Sequence, residues 1–358
     1  MRTEDVAPAT TADEETPPLR MVAVDMDGTL LRPDSTISDR TVAVLRSLAS
    51  QGMIVCVASG RPAPTIRRYA RQLDIGPLPT VCFNGACAML LGAADEKGEQ
   101  KGEGEGDKVW FAQSLDVGVV SAVLKLAEEL DLPVQYCLPD KSLASPVGEK
   151  QKELMQFFDD LVGPEGWSVR VPSLAPTSAS SSSGTVELET PRTTTTTTEN
   201  NKKKTKTTAL TPPPPPGGPG GPLPPPLKLI IITGSQSRAD EVAAHAREVL
   251  APDTCHIIAA EVHVEFLMPR VNKASGLAHV CDALGVALDQ VTSFGDANND
   301  VEMLEACGMS YAMPNGRDKA LAAAKRTCRF DNAEDGVAVE LEALLEEGAF
   351  LVPPSAGR

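Results

Sequence analysis

The chain has 358 residues, 42% of them hydrophobic and 23% charged, and carries a formal net charge of -16. This is a globular composition, long enough for more than one domain. The acidic balance excludes nucleic acid as the main partner, because backbone phosphates need a basic face, but it leaves room for a small phosphorylated ligand in one locally positive pocket.

Met1 to Pro18 is rich in Thr, Glu, Asp, Pro and Ala. It lacks the apolar stretch of a secretory signal and the basic, acid-poor character of a transit peptide, so residues 1–18 read as a disordered leader. Met21 to Met26 then reads as a fully buried strand, and Ser38 to Gln51 as a helix with Val42, Leu45 and Leu48 on one face. A strand over Met53 to Ala58, a helix near Thr65 to Leu73 and a strand over Pro79 to Phe83 follow. Such β-α-β-α-β alternation predicts an α/β fold, a doubly wound parallel sheet whose ligand crevice lies outside the carboxyl ends of its strands. Asp25, Asp27, Ser59 and Asn84 all fall at or just past those ends.

The middle of the chain changes character. Strands are expected at Cys87 to Leu91, Lys108 to Gln113, Val134 to Leu138, Trp167 to Val171, Leu227 to Thr233 and His256 to Met268. Helices are expected at Val117 to Leu130, Lys150 to Leu161 and Arg238 to Leu250, which together suggest an α+β domain inserted into the first. Within it, Ser173 to Pro226 runs through "SASSSSG", "TTTTTT" and "PPPPPGGPGGPLPPP". This low-complexity segment has too little apolar surface to offset the entropy of ordering it and reads as a disordered loop insertion; a proline-recognition partner could dock at Pro212 to Pro226. After Pro269 the alternation resumes with a helix over Ser275 to Leu284, a strand over Val291 to Phe294 and a helix over Asp300 to Cys307, so the first domain is discontinuous. No apolar run approaches the ~20 residues that span a bilayer. The eight cysteines form no CxxC pair, and several lie in apolar runs, as reduced core thiols of a cytoplasmic protein would.

Four short stretches carry chemistry. In "VAVDMDGTLL" two acids, Asp25 and Asp27, sit two residues apart at a strand end. One turn or capping aspartate is ordinary; two held close raise each other's pKa unless a cation lies between them, and a divalent metal suits such oxygen ligands. "ASGRP" offers the Ser59 hydroxyl and the following amides to a phosphate at a strand-to-helix turn, although Ser-Gly is also a common plain turn. Lys273 in "RVNKASG" precedes a helix and alone would be a solvated surface lysine. "SFGDANND" crowds Asp296, Asn299 and Asp300 after a strand, either as a metal site or as an Asx-rich turn.

In this order the stretches DxDGT, SGR, a single lysine and GDxxND resemble the haloacid dehalogenase superfamily of phosphotransfer enzymes. The sequence most resembles its Cof-type, class IIB sugar-phosphatase-like branch, to which "VCFNGA", "VEMLEACG" and "EDGVA" are also similar. The resemblance covers Met21 to Phe83 and Val264 to about Leu345. It implies a Rossmann-like core over 19–85 and 264–350 and a class IIB α+β cap over 86–263, the low-complexity segment 173–226 lying within the cap. It further implies Mg2+-dependent hydrolysis of a small phosphate monoester, a sugar phosphate or similar metabolite. Asp25 would be the nucleophile, and Asp27 the acid that protonates the leaving alcohol and then activates water. Asp25, Asp27 through its carbonyl, and Asp296 would hold the metal, with Asp300 orienting its water shell. Ser59, Gly60, Lys273, Asn299 and the Met26 amide would bind the phosphoryl oxygens. A phosphomutase or a sucrose-phosphate-phosphatase-like enzyme shares these motifs. A non-catalytic scaffold working through its proline-rich segment is the reading from another class.

Overall fold

Residues 17–92, 106–139, 141–162, 168–171, 173–174 and 223–351 are described in this computed structural model. The leader up to residue 16 and the low-complexity segment, apart from 173–174 and 223–226, lie outside the described residues, and so does most of the proline stretch expected to meet a partner.

The first sheet begins with β1 (Met21–Val24), α1 (Asp39–Ser50), β2 (Ile54–Ala58), α2 (Ala63–Leu73) and β3 (Leu78–Cys82), then β4 (Cys87–Leu91) and β5 (Lys108–Ala112). The intervening elements are α3 (Val117–Glu129), β6 (Val134–Cys137), β7 (Ser142–Ala144), α4 (Gly148–Val162), β8 (Ser168–Arg170), β9 (Lys228–Ile232), α5 (Gln236–Val249), β10 (His256–Ala260) and β11 (His263–Leu267). The chain then returns with α6 (Lys273–Leu284), β12 (Val291–Gly295), α7 (Val301–Ala306), β13 (Met309–Ala312), α8 (Asp318–Ala323), β14 (Arg326–Thr327) and α9 (Gly336–Glu346).

The first sheet has the order β14-β13-β12-β1-β2-β3-β4-β5, parallel from β14 to β3. Its central strands are buried on both faces, which is why β1 reads as an unbroken apolar run. Val22 and Val24 pack with Leu45, Leu48 and Ile66 of α1 and α2, whereas Met21 and Ala23 pack with Leu277 and Val280 of α6. From β1 the chain winds outward to β2 and β3 on one side and, after its return, to β13 and β14 on the other. The carboxyl ends of β1 and β12 therefore flank the point where winding reverses, the usual ligand crevice of an open α/β sheet.

Two expectations are corrected. Cys87–Leu91 and Lys108–Gln113, read as part of the insert that begins at 86, form β4 and β5 and extend the first sheet antiparallel to β3. Phe83 and Asn84, both at positive φ (52° and 55°), turn the chain straight back on itself, and a local reversal does not reveal in sequence which sheet it joins. His256 to Met268 is two strands, β10 and β11, because Glu261 and Val262 make a two-residue turn without the Gly or Asn that usually marks one.

The second sheet has the order β10-β11-β9-β6-β7-β8, antiparallel except between β7 and β8. One face carries Leu229, Ile231, Val264 and Phe266 and is covered by α3 and α5. By strand alternation the opposite face carries Lys228 and Ile230 from β9, His263, Glu265 and Leu267 from β11, and Ile258 from β10. That face looks across a cavity at the first sheet's carboxyl edge.

Candidate active site

Asp25 follows β1 directly and is buried, with 4% of its surface exposed. Gly28 lets the chain turn away at once: its φ is +82°, and a Cβ there would overlap the Asp296 carboxylate. Thr29 Oγ1 donates to Asp296 Oδ1 at 3.0 Å, so the DxDGT turn and the loop after β12 are locked together.

Lys273, the first residue of α6, is fully buried. Asn272 caps that helix by accepting from the Ser275 amide at 2.9 Å, while Ser275 Oγ accepts from the Asn272 amide at 3.1 Å. The cap fixes where the helix starts and so where the lysine points. Lys273 Nζ donates to Asp25 Oδ1, in a very short contact, and to Asp300 Oδ1 at 2.6 Å. Asp300 Oδ2 accepts from the Asp296 and Ala297 amides at 3.0 and 2.9 Å. Both oxygens of Asp300 are thus spent on organising the loop and holding the lysine.

On the other side, Ser59 follows β2 directly and accepts from the Arg61 amide at 3.1 Å. Gly60 abuts Asn84, whose Oδ1 would lie 2.8 Å from a Cβ at that position. Asn84 Oδ1 in turn accepts from Asn299 Nδ2 at 2.9 Å. Asp25, Asp27, Ser59, Gly60 and Asn299 line one cavity of about 760 Å³, and Lys273, Asp300 and Asp296 are joined to Asp25 by the contacts above. Met26 lies within the DxDGT turn, its side chain fully buried.

Asp27 stands apart from the buried acids. Its side chain is 56% exposed, and Arg61 grips it with two bonds, Nε to Oδ2 at 2.8 Å and Nη2 to Oδ1 at 2.6 Å. The sequence reading did not assign Arg61, although it stands inside the quoted "SGR". Nor did it find Lys228, His263 and Glu265 on the second sheet, which line the same cavity and carried no local signal at all.

The electrostatics of these acids favour a bound cation. One oxygen each of Asp25, Asp296 and Asp300 lie within 4.8 Å of one another. Burial, then the Asp300 charge, push the Asp25 carboxyl well above its usual range, with Lys273 opposing. Burial and Asp300 likewise push Asp296 up, with Thr29 opposing. Burial works against the Lys273 ammonium, but Asp25 and Asp300 outweigh it and hold the lysine charged. One ammonium among three carboxylates leaves an excess of negative charge held by oxygen donors, and a hard divalent cation such as Mg2+ fits that donor set.

A family model described as haloacid dehalogenase-like hydrolase matches residues 22–161 and 223–341. The chain is 26% identical to 5-amino-6-(5-phospho-D-ribitylamino)uracil phosphatase YitU of Bacillus subtilis, over 89% of this chain and 94% of that protein. Its fold is that of a haloacid dehalogenase-like hydrolase from Bacteroides thetaiotaomicron, at TM-score 0.62 and 19% identity over 91% of this chain and 99% of the other. It is also that of a solved HAD subclass IIB sugar phosphatase, at TM-score 0.58 and 16% identity over 92% and 100%. No helix among the described residues is long and apolar enough to cross a membrane.

Proposed function

The chain belongs to the haloacid dehalogenase-like hydrolases, and on that premise we propose that it cleaves a small sugar- or polyol-linked phosphate monoester through an aspartyl-phosphate on Asp25. It is a phosphoric monoester hydrolase, as its named relatives are. The observation that carries the finer reading is Asp25 itself, a buried carboxylate at the reversal point of the sheet, tied to Lys273 and opening on a large cavity beside the Ser59 turn.

In the first step a carboxylate oxygen of Asp25 attacks phosphorus and the bond from phosphorus to the ester oxygen breaks. Asp27, released from Arg61 and protonated when the substrate binds, gives its proton to the departing alcohol. In the second step Asp27 takes a proton from water, which attacks the same phosphorus, and orthophosphate leaves with Asp25 restored. Lys273 holds Asp25 in place and offers a fixed positive charge to the phosphoryl oxygens, joined by the Ser59 hydroxyl, the Gly60 and Met26 amides and Asn299. Arg61 holds the Asp27 carboxylate at the mouth of the cavity, and the alcohol must approach that pair. Asp25, Asp296 and the Asp27 carbonyl would hold Mg2+, with Asp300 as orienting residue; when bound, the ion supplies charge neutralisation for the phosphoryl group.

Phosphate release from a panel of monoesters, with Mg2+ or with EDTA, tests this in the wild type and in Asp25→Asn. Release that needs Mg2+ and falls by at least about 10³-fold in the variant is expected. Undiminished turnover by a folded Asp25→Asn protein would overturn the covalent route.

A further inference from the structure

Each backbone carbonyl of Ser59, Gly60 and Arg61 has a donor. The Asn84 amide donates to the Ser59 carbonyl at 3.1 Å and the Phe83 amide to the Arg61 carbonyl at 3.2 Å, both from the turn after β3. The middle carbonyl is held from the other sheet. Lys228 Nζ, on the first residue of β9, donates to the Gly60 carbonyl at 3.2 Å. The same ammonium lies 5.8 Å from the centre of the Phe83 ring, within cation–π range.

Lys228 is anchored for this bond. Its side chain is only 4% exposed, and it donates to Glu265 Oε1 at 2.7 Å, a side chain 14% exposed. His263 Nε2 lies 3.4 Å from the same oxygen. Burial opposes the Glu265 charge, but Lys228 and His263 outweigh it and hold the carboxyl at about 2, so the partner of Lys228 stays ionised at neutral pH. Replacing such a buried pair with hydrophobic residues is commonly neutral or stabilising, so stability alone gives no reason for it to stand here.

The Gly60 carbonyl and the Arg61 amide belong to one peptide unit, which is planar, with its two polar groups pointing to opposite sides. While Lys228 holds the carbonyl, the amide is turned the other way and donates to Ser59 Oγ at 3.1 Å. A hydroxyl that accepts there keeps its own proton to donate. We propose that Lys228 is a positioning residue: by holding the Gly60 carbonyl it fixes the plane of the Gly60–Arg61 peptide and so aims the Ser59 hydroxyl at a phosphoryl oxygen. The second sheet thereby acts on the phosphate end of the substrate, which every ester shares, and this action is independent of the leaving group. The assignment rests on the phosphatase reading above, in which the phosphate sits between Asp25 and Ser59.

The test measures kcat/KM for p-nitrophenyl phosphate and acetyl phosphate, and inhibition by inorganic orthophosphate, all with Mg2+. In Lys228→Met combined with Glu265→Leu, which leaves no unpaired buried charge, kcat/KM should fall by on the order of 10²-fold, by the same factor for both esters. The orthophosphate inhibition constant should rise by about 10-fold, because that ion has no leaving group and meets only the phosphate loop. Glu265→Gln, which keeps an acceptor for Lys228 and leaves its bond to Gly60, should stay within about threefold of the wild type. Lys228→Gln can still donate to Glu265 but is too short to reach Gly60 as well, and it should reproduce the double variant's losses if that variant fails to fold. Kinetics within about twofold of the wild type in a folded Lys228 variant would overturn the assignment. So would unequal losses on the two esters with orthophosphate inhibition unchanged, or a loss in Glu265→Gln as large as in the double variant. Absence of any p-nitrophenyl phosphate hydrolysis by the wild type would instead overturn the phosphatase reading beneath it.

Discussion

Lys273 occupies the first turn of α6, where the helix dipole disfavours a cation, and it is buried without any exposure. Both penalties are offset by Asp25 and Asp300. Lys273→Met should therefore cost about 3–5 kcal/mol in urea unfolding at neutral pH, because it strands two buried carboxylates, and added Mg2+ should recover part of the loss. An unchanged unfolding midpoint would mean that the acids relax without their counter-charge. Glu265 gives the pH dependence. Its carboxyl is held at about 2, below the ordinary ~4.3, so the stability it contributes is complete above about pH 4.3 and is lost as pH falls toward 2. Between those limits the wild type should lose about 2 kcal/mol more than the Lys228→Met, Glu265→Leu double variant, read from urea unfolding at stepped pH.

At the scale of elements, the DxDGT turn does two jobs through one glycine. Gly28→Ala places a Cβ at φ +82° and against the Asp296 carboxylate. The backbone strain should cost roughly 1–2 kcal/mol, and displacement of Asp296 should lower phosphate release far more than that loss of stability explains. Normal turnover at reduced melting temperature would show that the carboxylate has room to move. The motifs at strand ends were legible because a buried parallel strand writes itself as an apolar run and its end as a change to acids and glycine. The β10–β11 hairpin was not legible, because Glu261 and Val262 give no turn signal and the run looks like one long strand.

Across the whole molecule, the family match passes from residue 161 to residue 223, so the low-complexity segment stands between two matched blocks. The described residues at its two ends, Leu174 and Leu223, both pack against the helix-covered core of the second sheet. Replacing 175–222 with a short Gly-Ser linker should therefore leave hydrolysis of p-nitrophenyl phosphate intact and change stability by no more than about 1 kcal/mol, as loop closure depends only weakly on length. Loss of activity in a folded deletion variant would give the segment a working part in the enzyme.

The sequence by itself determined which polar residues stand at the carboxyl edge of the first sheet. Acids, a serine turn, a lysine and an Asx-rich loop each follow a strand or open a helix, and parallel strands bring their carboxyl ends together wherever the rest of the chain goes. Tertiary structure alone decided what faces that edge. Arg61 meets Asp27 across 34 residues and Lys228 meets Glu265 across 37, and neither pairing has a spacing that could announce it. Lys228 and Glu265 stand in strands whose alternation defines two faces, but alternation does not say which face the helices cover. Packing of α3 and α5 on Leu229, Ile231, Val264 and Phe266 settles that choice and leaves the charged pair looking at Asp25.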